Sequence, residues 1–285
     1  INTNFTLINE LIEKRIIEVG VDALTDSVWA ANPKTYVLTH PNKDEAMFHK
    51  IKCTLKMLNT LKKTSHPRVK VYNVISNLNC GELLQMVEFA EEVGAECVEF
   101  TVVDTIPGST ESLLLDDRER ILVLEQCKNI VRRDNKVKVL NLEHFMRRLS
   151  DPGAGKALYD SSLLERSPCY VGWVFSRIMP NGDVNFCLKA HRIPVGNLYA
   201  NSFKDIWNSK EQQDFRLRAY KRERDDSFFR GMGNDDKCEM GCYKSCDNLG
   251  HNNQVARLMD SLTPIQIQII KIHSLFIRMS KKAKL

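Results

Sequence analysis

Five cysteines in the second half of the chain restrict its fold more than any other feature: Cys169, Cys187, Cys238, Cys242 and Cys246. Cys169 and Cys187 bracket a Cys-x12-Gly-x4-Cys run, in which Pro180-Asn181-Gly182-Asp183 supplies a strong hairpin turn. The other three follow as Cys238-x3-Cys242-x3-Cys246 and lead straight into Asp247-Asn248. A hairpin pair plus a tight trio is the arrangement that brings four thiolates to one centre. Iron–sulfur clusters are held by such thiolates, and structural zinc takes the same ligands at similar local spacing. The cysteines alone leave both metals open.

Composition excludes several other classes. A net charge of +5, from 41 basic and 36 acidic side chains, is too small and too dispersed for a nucleic-acid-binding surface. The basic run Arg216, Arg218, Lys221, Arg222 and Arg224 is interrupted by Glu223, Asp225 and Asp226, which suits a solvated face. No stretch reaches the ~18 uninterrupted apolar residues of a membrane span, and no secretory signal is visible. Nine cysteines, several isolated within ordinary helix or strand patterns, argue against a secreted disulfide framework. The expectation is a cytoplasmic protein that engages neither membrane nor nucleic acid. No Ser-His-Asp arrangement, phosphate loop or His-Glu-x-x-His helix is present, so the sequence names no catalytic residue.

Hydrophobic periodicity divides the chain. Helices are predicted over 7–19, around Met47 to Leu58, from Leu83 to Val93 and over 117–133, with Gly20 and Gly94 placed to end the first and third. Strands are predicted over 22–28, 69–75, 97–103 and 137–140. Alternation at this spacing implies right-handed crossovers and a parallel sheet. Three or four units cannot close an eightfold barrel, and the chain opens on a helix with no strand of its own before it. Residues 1–140 are therefore expected to be a barrel-type α/β domain without its front units. Residues 141–166 form a bridge, 167–255 a small α+β cysteine domain, and 256–285 a last helix with a basic tail. In the cysteine domain, strands are predicted over 171–179 and 184–187, then a helix from Phe203 towards Tyr220. Thr263 and Pro264 are placed to start the last helix.

These residues resemble the radical SAM superfamily, and within it the enzymes with a SPASM-type auxiliary iron–sulfur domain. Thr3-Asn4 resembles the close of that family's third barrel strand. Ser27-Val28-Trp29-Ala30, with Asn32-Pro33 and Tyr36, resembles the end of its fourth. Asn79 and Glu82 resemble the Asn-x-x-Glu after the fifth, and Val102-Val103-Asp104 with Pro107-Gly108 the exit of the sixth. The Cys-x12-Gly-x4-Cys hairpin is similar to the SPASM opening, and Gly196-Asn197-Leu198 with Ile206-Trp207 to the stretch that follows it. The resemblance thus implies the rear part of a radical SAM partial (β/α)6 barrel followed by a SPASM-type domain, and it resolves the metal in favour of iron–sulfur.

Two departures qualify what the resemblance implies. The Cys-x3-Cys-x2-Cys loop that holds the S-adenosylmethionine-binding cluster is absent from the sequence, so the chain by itself is expected to be inactive. Five domain cysteines suffice for one auxiliary 4Fe-4S cluster, with one thiol to spare. Cys169 and Cys187 are expected ligands, completed by two of Cys238, Cys242 and Cys246. Ser27, Asn79 and Asp104 are the implied contacts of S-adenosylmethionine, although each also suits an ordinary turn, cap or loop role. Trp173 and Phe175 are expected to pack around the cluster, and His191 lies close enough in sequence to contact it. Cys53, Cys80, Cys97 and Cys127 are read as structural. The complete enzyme would carry a second 4Fe-4S cluster, an electron donor such as a flavodoxin or ferredoxin, and a peptide, sugar or small-metabolite substrate. A reading from another class is a non-catalytic iron–sulfur or zinc module that binds a peptide or protein partner.

Overall fold

Buried and half-buried residues alternate along every long strand of the first half, and this decides which face of its sheet is covered. The structure is a computed structural model that describes residues 1–106, 108–160, 168–221, 232, 242, 245–266, 268 and 269. Its contacts divide the chain into two compact units, Ile1–Asp160 and Ser161–Leu285.

The first unit contains a parallel sheet in the order β1 (Asn2–Thr3), β2 (Ala23–Ser27), β3 (Arg68–Ile75), β4 (Cys97–Val102) and β5 (Lys138–Leu140). The connecting helices are α1 (Glu10–Glu18), α2 (Pro33–Thr39), α3 (Glu45–Leu61), α4 (Leu83–Glu92) and α5 (Asp117–Arg132). Side chains that accept from the first turn start all but α4. Asn9 accepts from Ile12 N at 3.0 Å, Asn32 from Thr35 N at 3.0 Å and Asp44 from Met47 N at 2.9 Å. Asp116 and Glu119 form a reciprocal capping box on α5. Gly20 (φ +70) and Gly94 (φ +71) follow α1 and α4 in the left-handed conformation that ends a helix. The opening helix does have a strand before it: Asn2 and Thr3 pair with Thr25 and Asp26, so the sheet begins one strand earlier than the hydrophobic pattern indicates. Two residues are too few to leave a periodic signal.

On β3, Val69, Val71, Asn73 and Ile75 are buried while Lys70, Tyr72 and Val74 are half-buried. The buried face joins the core with Leu24, Val98 and Phe100 and with Phe48, Leu55, Met86, Val87 and Ile130 from the helices. A parallel sheet layered on both sides by helices reads as continuous apolar strands. The alternation here marks a sheet with one helix-covered face and one polar face. Residues 142–160, expected as a bridge, instead complete this core. Helix α6 (Leu142–Ser150) contributes Phe145 and Leu149, and Ala154, Ala157 and Tyr159 follow.

The second unit is smaller. Helix α7 (Val171–Val174) precedes an antiparallel sheet of β6 (Arg177–Ile178), β7 (Asp183–Asn185) and β8 (Gly196–Asn197), followed by α8 (Phe203–Trp207), α9 (Lys210–Lys221) and α10 (Leu249–Ser261). The strand expected over 171–179 is thus helical in its first half. Gly172 explains this: its carbonyl accepts from Gln212 Nε2 and Arg216 Nε, both at 2.8 Å, and a Cβ there would lie 3.1 Å from the Phe215 ring. The helix expected to run from Phe203 is broken, because Ser209 Oγ accepts from Gln212 N at 3.2 Å and starts α9 afresh. Thr263 Oγ1 accepts from Gln266 N at 3.3 Å, the expected cap, while residues 270–285 of that last helix and the basic tail lie outside the described residues. Helix α10 escapes the periodicity reading because it is polar along most of its length. Among the described residues no helix is long and apolar enough to cross a membrane.

Candidate metal centre

Cys169, Cys187, Cys242 and Cys246 line a single cavity in the second unit. Its remaining walls are Val171, Lys189, Phe215, Ala219, Met232, Ser245, Asn248 and Asn252. Of the five cysteines singled out by spacing, the structure therefore brings four together. Cys238 lies outside the described residues.

Two asparagines one turn apart on α10 hold the hairpin cysteines in place. Asn252 Oδ1 accepts from Tyr170 N at 2.5 Å, and its Nδ2 donates to Pro168 O at 2.9 Å, clamping the chain on both sides of Cys169. Cys169 N also donates to Ala219 O at 3.3 Å. Asn248 Oδ1 accepts from Leu188 N at 3.1 Å, directly after Cys187. Lys189 N donates to Cys187 Sγ at 3.4 Å, and Lys189 Nζ lies 3.6 Å from Asp247 Oδ2. Asn248, Asn252, Ser245 and Lys189 were not legible as site residues. The available signal was the Asp247-Asn248 that follows the last cysteine, with Asn252 four residues on and hence on the same helix face.

The turn that sets the hairpin is reinforced from the next strand. Asn197 Nδ2 donates to Asn181 O at 2.9 Å and to Asp183 Oδ1 at 3.0 Å. A Cβ on Gly196 would meet Ile206 at 2.8 Å, which explains why the Gly-Asn-Leu stretch and Ile206-Trp207 occur together.

Burial pushes the Cys187 thiol well above its usual range, and the neighbouring Cys246, Cys242 and Cys169 push it further. Four thiols in an apolar cavity cannot ionise together unless a multivalent cationic centre compensates them. A thiolate donor set and buried polar atoms without partners, Ser245 Oγ and Asn248 Nδ2, fit such a centre. Among the described residues no three His, Cys, Asp or Glu side chains are grouped around one ion position. The shared cavity is the more relevant observation for a cluster. A single zinc at ~2.3 Å from each sulfur needs sulfurs about 3.8 Å apart, whereas a cluster spreads its ligands around several irons.

The other expectations around the cysteines resolve differently. Trp173 does not line the cavity: it is 44% exposed and packs against the rings of Tyr170 and Tyr220. Phe175 is half-buried against the second core. His191 is not part of the cavity wall; burial lowers its pKa, and Arg177 and Arg192 lower it further. Cys80 and Cys127 are buried in the first core, and burial pushes the Cys127 thiol up to about 12. Cys53 is exposed and Cys97 intermediate.

In the first unit, Ser27, Asn79 and Asp104 all fall at or just beyond the carboxyl ends of strands. Ser27 is the last residue of β2, half-buried and in register with Tyr72. Asn79 is 2% exposed, and its amide is engaged with backbone: Oδ1 accepts from Ser76 N at 2.8 Å, while Nδ2 donates to Trp29 O and Val74 O, both at 2.9 Å. It therefore braces two strand-end loops rather than capping α4. Glu82 joins the same loops by accepting from Ala31 N at 3.1 Å and Asn32 Nδ2 at 2.7 Å. Asp104 follows β4 and, after burial, is the next cause raising the pKa of Tyr159, whose hydroxyl donates to Val103 O at 2.9 Å. Phe5 and Trp29, just past β1 and β2, have φ of +55 and +56, left-handed values that are costly for aromatic residues. The polar face of the sheet carries Lys70 Nζ paired with Glu99 at 2.7 Å, and Arg148 Nη1 donating to Thr101 Oγ1 at 3.2 Å. Arg148 is itself held by the buried Asp160 at 2.6 Å.

A parallel sheet unit joined to a unit with four cysteines around one cavity defines an α/β protein with a small cysteine-lined domain. Residues 169–243, within the second unit, match the family model of SPASM, described as an iron-sulfur cluster-binding domain. No curated protein matches the sequence. The fold is similar to that of Streptococcus suis SuiB in its structure bound to S-adenosylmethionine, with a TM-score of 0.52 at 14% identity over 75% of this chain and 48% of SuiB. SuiB bound to the precursor peptide SuiA gives the same TM-score, identity and coverage. The structure of polyhistidine-tagged anSMEcpe with bound AdoMet is similar at a TM-score of 0.51 and 14% identity, over 95% of this chain and 74% of that one. At these identities the likeness is one of fold. The chain spans about half the length of SuiB. The α/β fold is that of the partial barrel with a SPASM region found in such radical SAM enzymes, as the sequence motifs anticipate.

Proposed function

We propose that this chain is the rear barrel and auxiliary-cluster portion of a radical SAM/SPASM enzyme that acts on a peptide. The observation that carries the reading is the convergence of Cys169, Cys187, Cys242 and Cys246 on one cavity, the first three of them within the SPASM match. These four thiolates would hold a 4Fe-4S cluster. A bound cluster supplies one-electron chemistry and positive charge in the cavity. The chain's own part is to place the thiolates through Asn248 and Asn252 and to wall them with Val171, Phe215 and Ala219.

In the complete enzyme, a second cluster with S-adenosylmethionine would supply radical hydrogen-abstraction chemistry, its electron coming from a flavodoxin- or ferredoxin-type donor. Ser27 and Asp104 contact S-adenosylmethionine, and Asn79 shapes the loops beneath it. The polar sheet face with Lys70, Glu99 and Thr101 is a suitable wall for a polar chain. A peptide is favoured over a sugar or small metabolite because SuiB, similar in fold, binds a precursor peptide. A second reading is a non-catalytic iron–sulfur or zinc module that binds a peptide or protein partner; on the first reading the chain alone, without Cys-x3-Cys-x2-Cys, is expected to form no 5′-deoxyadenosine.

The test is the content of iron, acid-labile sulfide and zinc per chain after anaerobic purification and reconstitution. About four irons and four sulfides are expected, lost in Cys169→Ala and Cys187→Ala. One zinc without iron would overturn the radical-enzyme reading of this domain.

A further inference from the structure

We propose that Asn248 and Ser245 are potential-setting residues, donating hydrogen bonds to the sulfurs of the cluster that Cys169, Cys187, Cys242 and Cys246 hold. The inference rests on the cluster reading above and adds to it a role for two residues outside the ligand set.

Asn248 is 1% exposed and lines the cavity. Its orientation follows from its partner: the oxygen accepts from Leu188 N, so the amide nitrogen points away from that turn. That nitrogen is buried with no hydrogen-bond partner. Ser245, 2% exposed on the same cavity, likewise has a buried hydroxyl without a partner. Buried donors are almost always satisfied, and two such failures on the wall of one cavity are unlike the treatment of Asn252 beside them, whose oxygen and nitrogen are both paired. The described walls otherwise offer apolar groups and thiols, with Lys189 as the one cationic side chain. The acceptors that suit these donors are sulfurs. Lys189 N already donates to Cys187 Sγ, which shows the bond type the site uses.

Hydrogen bonds to cluster sulfurs stabilise the more negative, reduced state and raise the reduction potential. An apolar cavity acts in the opposite direction by disfavouring added charge. Asn248 and Ser245 offset that effect, so the buried cluster is kept able to accept one electron from a substrate-derived radical.

The experiment is a redox titration of the reconstituted full chain, followed by electron paramagnetic resonance of the reduced cluster, with iron and sulfide counted in each sample. The variants are Ser245→Ala and Asn248→Asp; the latter keeps the oxygen that Leu188 needs and removes the donor. Both are expected to keep the cluster and lower its potential. At fixed potential the reduced-to-oxidised ratio falls several-fold, a tenfold fall corresponding to about 59 mV for one electron. An unchanged potential in both, with the cluster intact, overturns this inference and leaves the cluster reading standing. Wild-type protein without iron overturns both. Should Asn248→Asp alone lose iron, the potential of Ser245→Ala decides.

Discussion

Asp26 places a carboxyl group on the covered face of β2, fully buried and with no hydrogen-bond partner on either oxygen. Burial pushes its pKa up to about 8. Tyr36, near enough for Asp26 to raise its pKa further after burial, and Asn73 on β3 also keep polar atoms without partners in this core. In the unfolded chain Asp26 titrates near ~3.9. Between that value and about 8 the folded state holds a proton that the unfolded state has lost, so stability falls as pH rises. The slope is about 1.4 kcal/mol per pH unit for one proton, levelling off above the folded pKa. Asp26→Asn is expected to remove this contribution. Denaturant melts of the first unit from about pH 5 to about pH 9, a range that brackets the folded pKa, check it. An equally steep decline in the variant would count against a neutral buried Asp26. The sequence contains the warning, an aspartate between Leu24 and Val28 on an otherwise apolar stripe, but only the packed sheet shows that nothing compensates it.

Gly182 shows how one element transmits to the site. It sits in the hairpin turn at φ +83, and a Cβ there would lie 2.7 Å from the Tyr199 ring. The left-handed conformation alone costs a non-glycine residue ~1–2 kcal/mol, before the ring has to move. Gly182→Ala is therefore expected to destabilise the second unit by about 2 kcal/mol. Because β6 and β7 carry the chain between Cys169 and Cys187, it should also speed iron loss to a chelator. Iron release at the wild-type rate would show that the hairpin does not hold the cysteines. The turn was legible because Asn-Gly has few other uses between strands. The helical turn at Val171–Val174 was not. Its residues favour a strand intrinsically, and the contacts of Gly172 with α9 override that preference.

At the scale of the whole molecule, each unit has its own core, and the two cores differ in what supports them. The first joins five strands and six helices around large apolar side chains such as Phe48, Leu55 and Phe145. The second has fewer buried apolar residues among those described, gathered around the cysteines. A small core of this kind is expected to depend on the proposed metal, because the binding energy of a metal is also folding energy. Removing iron from the full chain is expected to abolish or lower the unfolding transition of the second unit while leaving that of the first in place. Calorimetry of reconstituted and metal-stripped protein checks this, and two unchanged transitions would mean that the cysteine unit folds without metal.

The strand–helix alternation, the helix-stopping glycines, the hairpin and the cysteine spacing were determined by sequence alone, because each rests on local backbone preference or on a fixed ligand chemistry. The parallel sheet and the convergence of cysteines followed from them. Tertiary structure decided the rest. It paired a two-residue β1 too short to carry a pattern, drew α6 and Tyr159 into the first core, turned Trp173 away from the cavity, and brought Cys242 and Cys246 to line it. It also set Asn248 and Asn252, at the start of the polar helix α10, against the hairpin. These outcomes depend on contacts between residues far apart in the chain, whose energies no local pattern records.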